Sequence, residues 1–161
     1  MEDLASFLRT REALIGRAGE LLVAVSALGL IVALFLAWYD PVVQVQAADG
    51  SRSPSDTSPS GWEAFELADV VLAVMAGLGL AAFAAARALL SRMPYVIAGL
   101  AGWFAAVVIL YSYWRPNHLD GLATYAGLPG GGFFLGLASA GAIAGGALVA
   151  LLAPRPEAPT A

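Results

Sequence analysis

Cysteine is absent from this 161-residue chain, and so is lysine. Without cysteine the chain has no disulfide framework, no thiolate nucleophile and no cysteine-ligated metal. A single histidine, His118, stands in the run Arg115-Pro116-Asn117-His118-Leu119-Asp120. One imidazole with no thiol supplies neither a zinc ligand set nor a nucleophile–base pair, so it reads as a solvated loop residue. Charge is also scarce: 12% of residues are charged, about half the share of a soluble domain. The eight basic residues are all arginine and are not clustered with aromatics, so no nucleic-acid partner is expected. No catalytic constellation, cofactor motif or metal site emerges, and the chain is not expected to be an enzyme.

Apolar residues take the place of what is missing, at 60% of the chain. They fall in four runs, at about 21–39, 67–90, 95–114 and 133–153. Each is close to the ~20 residues that cross a hydrocarbon core of ~30 Å. The expected fold is all-α: an up-down bundle of four membrane-spanning helices with a small external loop cap. A polar segment, 1–20, precedes the four-span domain 21–153, and a Pro-rich tail, 154–161, follows it. Leu4, Phe7, Leu8, Leu14, Ile15 and Ala18 gather near one helical face of the first segment, with Arg11 among them. That pattern fits a membrane-surface helix or a frayed tail.

Arg9, Arg11 and Arg17 before an apolar run, with Val45-Gln46-Ala47 beyond it, also suggest a signal peptide. The run exceeds the ~7–15 residues of a signal core, and an uncleaved first span is expected. The segments 40–66 and 115–132 lie between spans on one side. In the first, Val42 to Gln46 partly alternates and Asp49-Gly50 is a turn signal, which predicts a short strand or hairpin. Arginine sets the orientation. Arg9, Arg11, Arg17, Arg87, Arg92 and Arg155 fall on one side of the bundle; Arg52 and Arg115 fall on the other. The positive-inside rule then places both termini in the cytoplasm of a plasma (inner) membrane protein.

Ser60 and Glu63 have capping-box spacing ahead of the second span. Trp62 and Phe65 follow at headgroup level, and Glu63, Glu66 and Asp69 recur every third residue. Such a row supplies too few oxygens for calcium, so a cap, a solvated face and an Arg partner are its plainer roles. Asp69, or Glu66 one turn out, is expected to pair with Arg115 across the second and third spans. Beyond Asp69 the series Ala73, Gly77, Ala81, Ala85 is expected to continue on that face.

Glycine marks further contacts. Gly102 lies between Ala98 and Ala106; Gly132, Gly136, Ala140 and Ala144 form one row, with Gly141-x-x-x-Gly145 beside it. Close backbone approach in lipid favours such rows. Two of them on one helix suit either tight packing in one bundle or a second face for an oligomer or partner.

Trp38-Tyr39 closing the first span, Gly61-Trp62-Glu63-Ala64-Phe65 with Asp69 opening the second, and the Gly-rich fourth span resemble a set of small uncharacterised four-span membrane proteins of actinobacteria. The layout is also loosely similar to claudin-type tetraspan proteins, without their loop cysteines. The resemblance implies a topology and no activity. The expected role is structural, scaffolding or partner-binding in the cell envelope, in contact with lipid and with itself or another membrane protein. The alternative is an accessory subunit of a channel or transporter.

Overall fold

A computed structural model describes residues 2–38, 44–46, 52–54, 60, 62, 67–89, 91–114 and 129–153. In chain order the elements are α1 (Glu2–Ala33), β1 (Gln44–Gln46), β2 (Arg52–Pro54), α2 (Ala68–Leu89), α3 (Met93–Trp114) and α4 (Gly131–Leu152). Leu14–Ala33 of α1 and all or nearly all of the other three helices are long and apolar enough to cross a membrane. This is a multi-pass membrane protein built as a four-helix bundle.

Neighbours along the chain pack side by side, and α4 closes the ring against α1, the most extensive contact of all. The contacts run antiparallel. Gly19 meets Gly146 and Ala150, Gly29 meets Ser139, Gly79 meets Ala27, and Gly99 meets Ala147. The bundle therefore has a turn end, where α2 passes into α3, and a loop end, where α1 leads towards α2.

Three boundaries differ from the sequence pattern for physical reasons. α1 runs unbroken from Glu2, so the polar segment and the first span are one rod of 32 residues, about 48 Å long. Gly16 already faces Ala153 just past the end of α4, so the first turns of α1 project beyond the bundle. At the other end α1 stops at Ala33, short of Tyr39. Leu34, Phe35 and Leu36 donate to Ile31, Val32 and Ala33 through i−3 bonds of 3.1, 3.0 and 3.2 Å, the tightened turn that closes many helices. Pro94 sits inside the first turn of α3, where its missing N–H costs nothing, instead of preceding the helix.

β1 and β2 pair antiparallel, Gln44 opposite Pro54 and Gln46 opposite Arg52, the hairpin that the alternation and Asp49-Gly50 anticipate. Ala37 bridges Ser60.

The core is narrow and mostly small: Ala27, Ala76, Ala98, Ala105, Ala140 and Ala147 are sealed, with Leu30, Leu34, Leu72, Ile109 and Ile143 among them. Without an aqueous phase to leave, such helices associate through close van der Waals contact, which small side chains permit.

Candidate functional site

Two places gather polar or aromatic groups, one at each end of the bundle. At the loop end the organising residue is Trp38, only 1% exposed. Its indole Nε1 donates to Ala33 O at 2.7 Å, occupying a carbonyl in the last turn of α1. The backbone beside it serves α4, whose N-cap Gly130 has no side-chain cap. Gly130 N donates to Trp38 O at 2.9 Å and Gly132 N to Ala37 O at 2.8 Å. One dipeptide thus closes the end of the first helix and the start of the last.

Glycine makes the fit. A Cβ on Gly130 would lie 2.6 Å from Ala37 O, and one on Gly132 would lie 2.7 Å from Trp38 Cδ1. Gly136 lies under the far edge of the indole, and Phe133 meets it edge-on with centroids 6.4 Å apart. The aromatic that a span end would place among headgroups is instead the central wedge of the bundle.

Asp69 is also at this end, in the first turn of α2, and is 5% exposed. Its Oδ1 accepts from Val70 N at 2.6 Å, where a carboxylate is favoured by the helix dipole. Trp62 packs at a tilt on Phe35, with centroids 5.8 Å apart. Glu63, Phe65, Glu66 and Arg115 lie outside the described residues, and so does the proposed clasp of Asp69 or Glu66 with Arg115.

The small-residue series after Asp69 does not hold one face. α2 buries Asp69, Leu72, Ala76, Gly79, Ala82 and Ala86, whereas Gly77 has nothing within 4 Å of its would-be Cβ. Four-residue steps overshoot a 3.6-residue turn by about 40° each, so the series winds outward. The two rows on α4 face apart because Gly141 is the residue after Ala140 and each residue turns the helix by about 100°. Gly132, Gly136 and Ala140 are buried, while Gly141 and Gly145 face outward with nothing within 4 Å. Gly102 is close-packed: a Cβ there would lie 2.7 Å from Ala144 N and 2.8 Å from Ala140 O.

Sequence reasoning passes over the turn end entirely. Arg92 reaches across from the α2–α3 turn, its Nη1 donating to Leu151 O at 2.7 Å and its Nη2 to Ala153 O at 2.6 Å. The end of α4 is therefore capped by a side chain 59 residues away. Arg87 lies 3.7 Å from Glu20 and stacks over Phe83 at 4.7 Å. The buried serines Ser26 and Ser139 lie about one turn apart in depth, because Gly29, three residues after Ser26, faces Ser139 Oγ. Among the described residues, no three His, Asp or Glu side chains converge.

No protein-family model, curated protein or solved structure matches the chain.

Proposed function

We propose that this protein is a non-enzymatic membrane component of the cell envelope that binds a protein partner within the bilayer. The observation that carries this reading is the outward row on α4, where Gly141 and Gly145 are exposed at mid-helix with open space beside them. Glycine weakens a helix unless a neighbour exploits the missing side chain, and in lipid that neighbour is another helix. Trp103 adds to it. It follows Gly102, which abuts Ala140 and Ala144, so it lies at the depth of Gly141, yet its side chain is 66% exposed. Tryptophan in contact with lipid favours the headgroup level over the midplane.

The test is a Gly141→Leu/Gly145→Leu double variant of the full chain, extracted in mild detergent from its native host. Its thermal stability is expected to equal or exceed that of wild type, since each exposed glycine costs a helix interior up to about 1 kcal/mol. Proteins that co-purify with the wild type are expected to be lost. A variant that keeps every partner removes the proposal. A channel or transporter among the partners would make this chain an accessory subunit, and a second copy would make it a homo-oligomer.

The proposed setting is the plasma (inner) membrane with both termini cytoplasmic, supported by the split of arginines along the sequence, six flanking the spans on one side against two on the other. An impermeant maleimide on intact cells is expected to label Ser55→Cys and Ala123→Cys but not Ser91→Cys. The reverse pattern inverts the orientation.

A further inference from the structure

Two exposed stripes run along the outer side of the α3–α4 pair. The one on α3 carries Leu100, Trp103 and Val107, which are 67%, 66% and 41% exposed. The one on α4 carries Ala138, Gly141 and Gly145, all exposed. Each repeats at steps of three and four residues, the spacing of a single helix face. The two faces also point the same way. Gly102 packs on the backbone of Ala140 and Ala144, and Trp103 and Gly141 each stand one residue beyond such a contact. In two antiparallel right-handed helices, that step of about 100° carries both positions to one side of the pair.

Depth pairs the stripes. Gly99 lies opposite Ala147, Gly102 opposite Ala140 and Ala144, and Ile109 opposite Gly136. In that register Leu100 stands at the level of Gly145, Trp103 at that of Gly141, and Val107 at that of Ala138. Each bulky side chain on α3 thus has a small residue at its own level on α4. A single copy leaves the match unused, since a Cβ on Gly141 or Gly145 would meet nothing within 4 Å. Trp103 adds an independent need. Among the described residues nothing accepts its indole N–H, and at the middle of α3 lipid offers no acceptor. Helix backbone bared by glycine does offer one, because a carbonyl has a second lone pair beyond its helical bond.

One symmetry uses both stripes at once. Copies inserted alike in one membrane share an orientation, so a twofold axis along the membrane normal preserves every depth. Beside the outer side of the α3–α4 pair, that axis sets α3 of each copy against α4 of the other. The contact is isologous, with ridge in notch made twice, and it continues outward the α3–α4 packing that Gly102 makes inside. An unrelated partner would account for only one of the stripes. We propose that this protein is a homodimer in which Trp103 of each copy enters the Gly141–Gly145 notch of the other, its N–H donating to a backbone carbonyl there. The dimer rests on the reading of the outward row as a partner surface and names the partner.

Single-molecule photobleaching of the full chain in lipid vesicles, over a range of dilutions, measures the association. Trp103→Ala is expected to weaken it about a hundredfold, tenfold at each of two equivalent contacts. Gly141→Leu/Gly145→Leu is expected to weaken it at least as much. Mixing these two variants is the decisive arm. The mixed pair keeps one Trp103 facing one open notch, so it is expected to form about tenfold more tightly than either variant with itself. Circular dichroism in detergent checks that each variant is folded, the substituted positions being exposed. A further measurement leaves Trp103 and Gly141 in place. Copies carrying Leu100→Cys and copies carrying Gly145→Cys are expected to form a mixed disulfide, in a chain otherwise free of cysteine. Wild-type monomers at every dilution, dimers indifferent to both variants, or a mixed pair no tighter than the variants alone would overturn the dimer. A monomeric wild type whose co-purifying proteins are still lost on filling the notch would sink the dimer and leave the partner reading standing.

Discussion

Replacing Trp38 by alanine is expected to lower the unfolding free energy in detergent by about 3 kcal/mol, the low end for loss of a buried aromatic from a core. The low end applies because lipid is as apolar as the bundle interior, so the loss is mainly of packing and not of transfer from water. Three contributions coincide at this residue. The indole leaves a void against Gly132 and Gly136 that no neighbouring side chain fills. Ala33 O loses the shorter of its two donors and keeps only Leu36 N. The Ala37–Trp38 backbone, no longer anchored, releases the N–H groups of Gly130 and Gly132. Trp38→Phe keeps most of the ring but not the N–H, and is expected to cost about 1–2 kcal/mol. Reversible SDS unfolding followed by circular dichroism measures both. Losses below about 0.5 kcal/mol, the ordinary scatter of surface substitutions, would show that the wedge is not needed.

Gly102→Leu is expected to have the second large effect. Its Cβ alone would lie 2.7 Å from Ala144 N and 2.8 Å from Ala140 O. Both are helical backbone, which cannot rotate away as a side chain can. α3 and α4 must move apart, undoing the contacts of Ile109 with Gly136 and of Gly99 with Ala147. Overpacking of a close-fitted core typically costs about 1–3 kcal/mol, and backbone obstruction places this site at the upper end. Gly102→Ala should already lose about 1 kcal/mol. Gly145→Ala has open space around it and should instead gain several tenths, up to about 1 kcal/mol, through helix propensity. The opposite signs are the informative part. If Gly102→Ala and Gly145→Ala shift stability in the same direction, the assignment of inward and outward glycine rows is wrong.

The architecture was legible because each span is a long apolar run, and no competing fold hides so many such residues. The two small-residue rows of α4 are legible in the sequence, but which of them faces inward is not, because that depends on where α1 and α3 pack against it. Gly77 leaves the core because Asp69, unlike Gly132, stands at the edge of its helix's buried stripe, so the same two-step drift carries the series outward. Trp38 escaped notice because an aromatic at a span end has an ordinary place among headgroups. Only its distant partners, Gly130 to Gly136, reveal that it turns inward. The sequence pattern ends the polar segment at Glu20 because the apolar run begins at Leu21. α1 is instead one helix that already packs on the end of α4 at Gly16 and Gly19, a contact that local sequence does not contain. Arg92 illustrates the same limit: its partners at Leu151 and Ala153 are neighbours only after α4 has returned.

The bond between Ala37–Trp38 and Gly130–Gly132 also bears on how the chain is made. α1 is synthesised before α4, yet its broadest interface is with α4. Until residues 130 to 136 emerge, the indole has no notch to enter, and the first helix must wait in lipid with its inner face uncovered. Closure of the ring thus waits on a contact between helices far apart in the chain, the kind of distant contact that makes assembly slow. During that interval the first three helices present to lipid the surface that the finished bundle conceals.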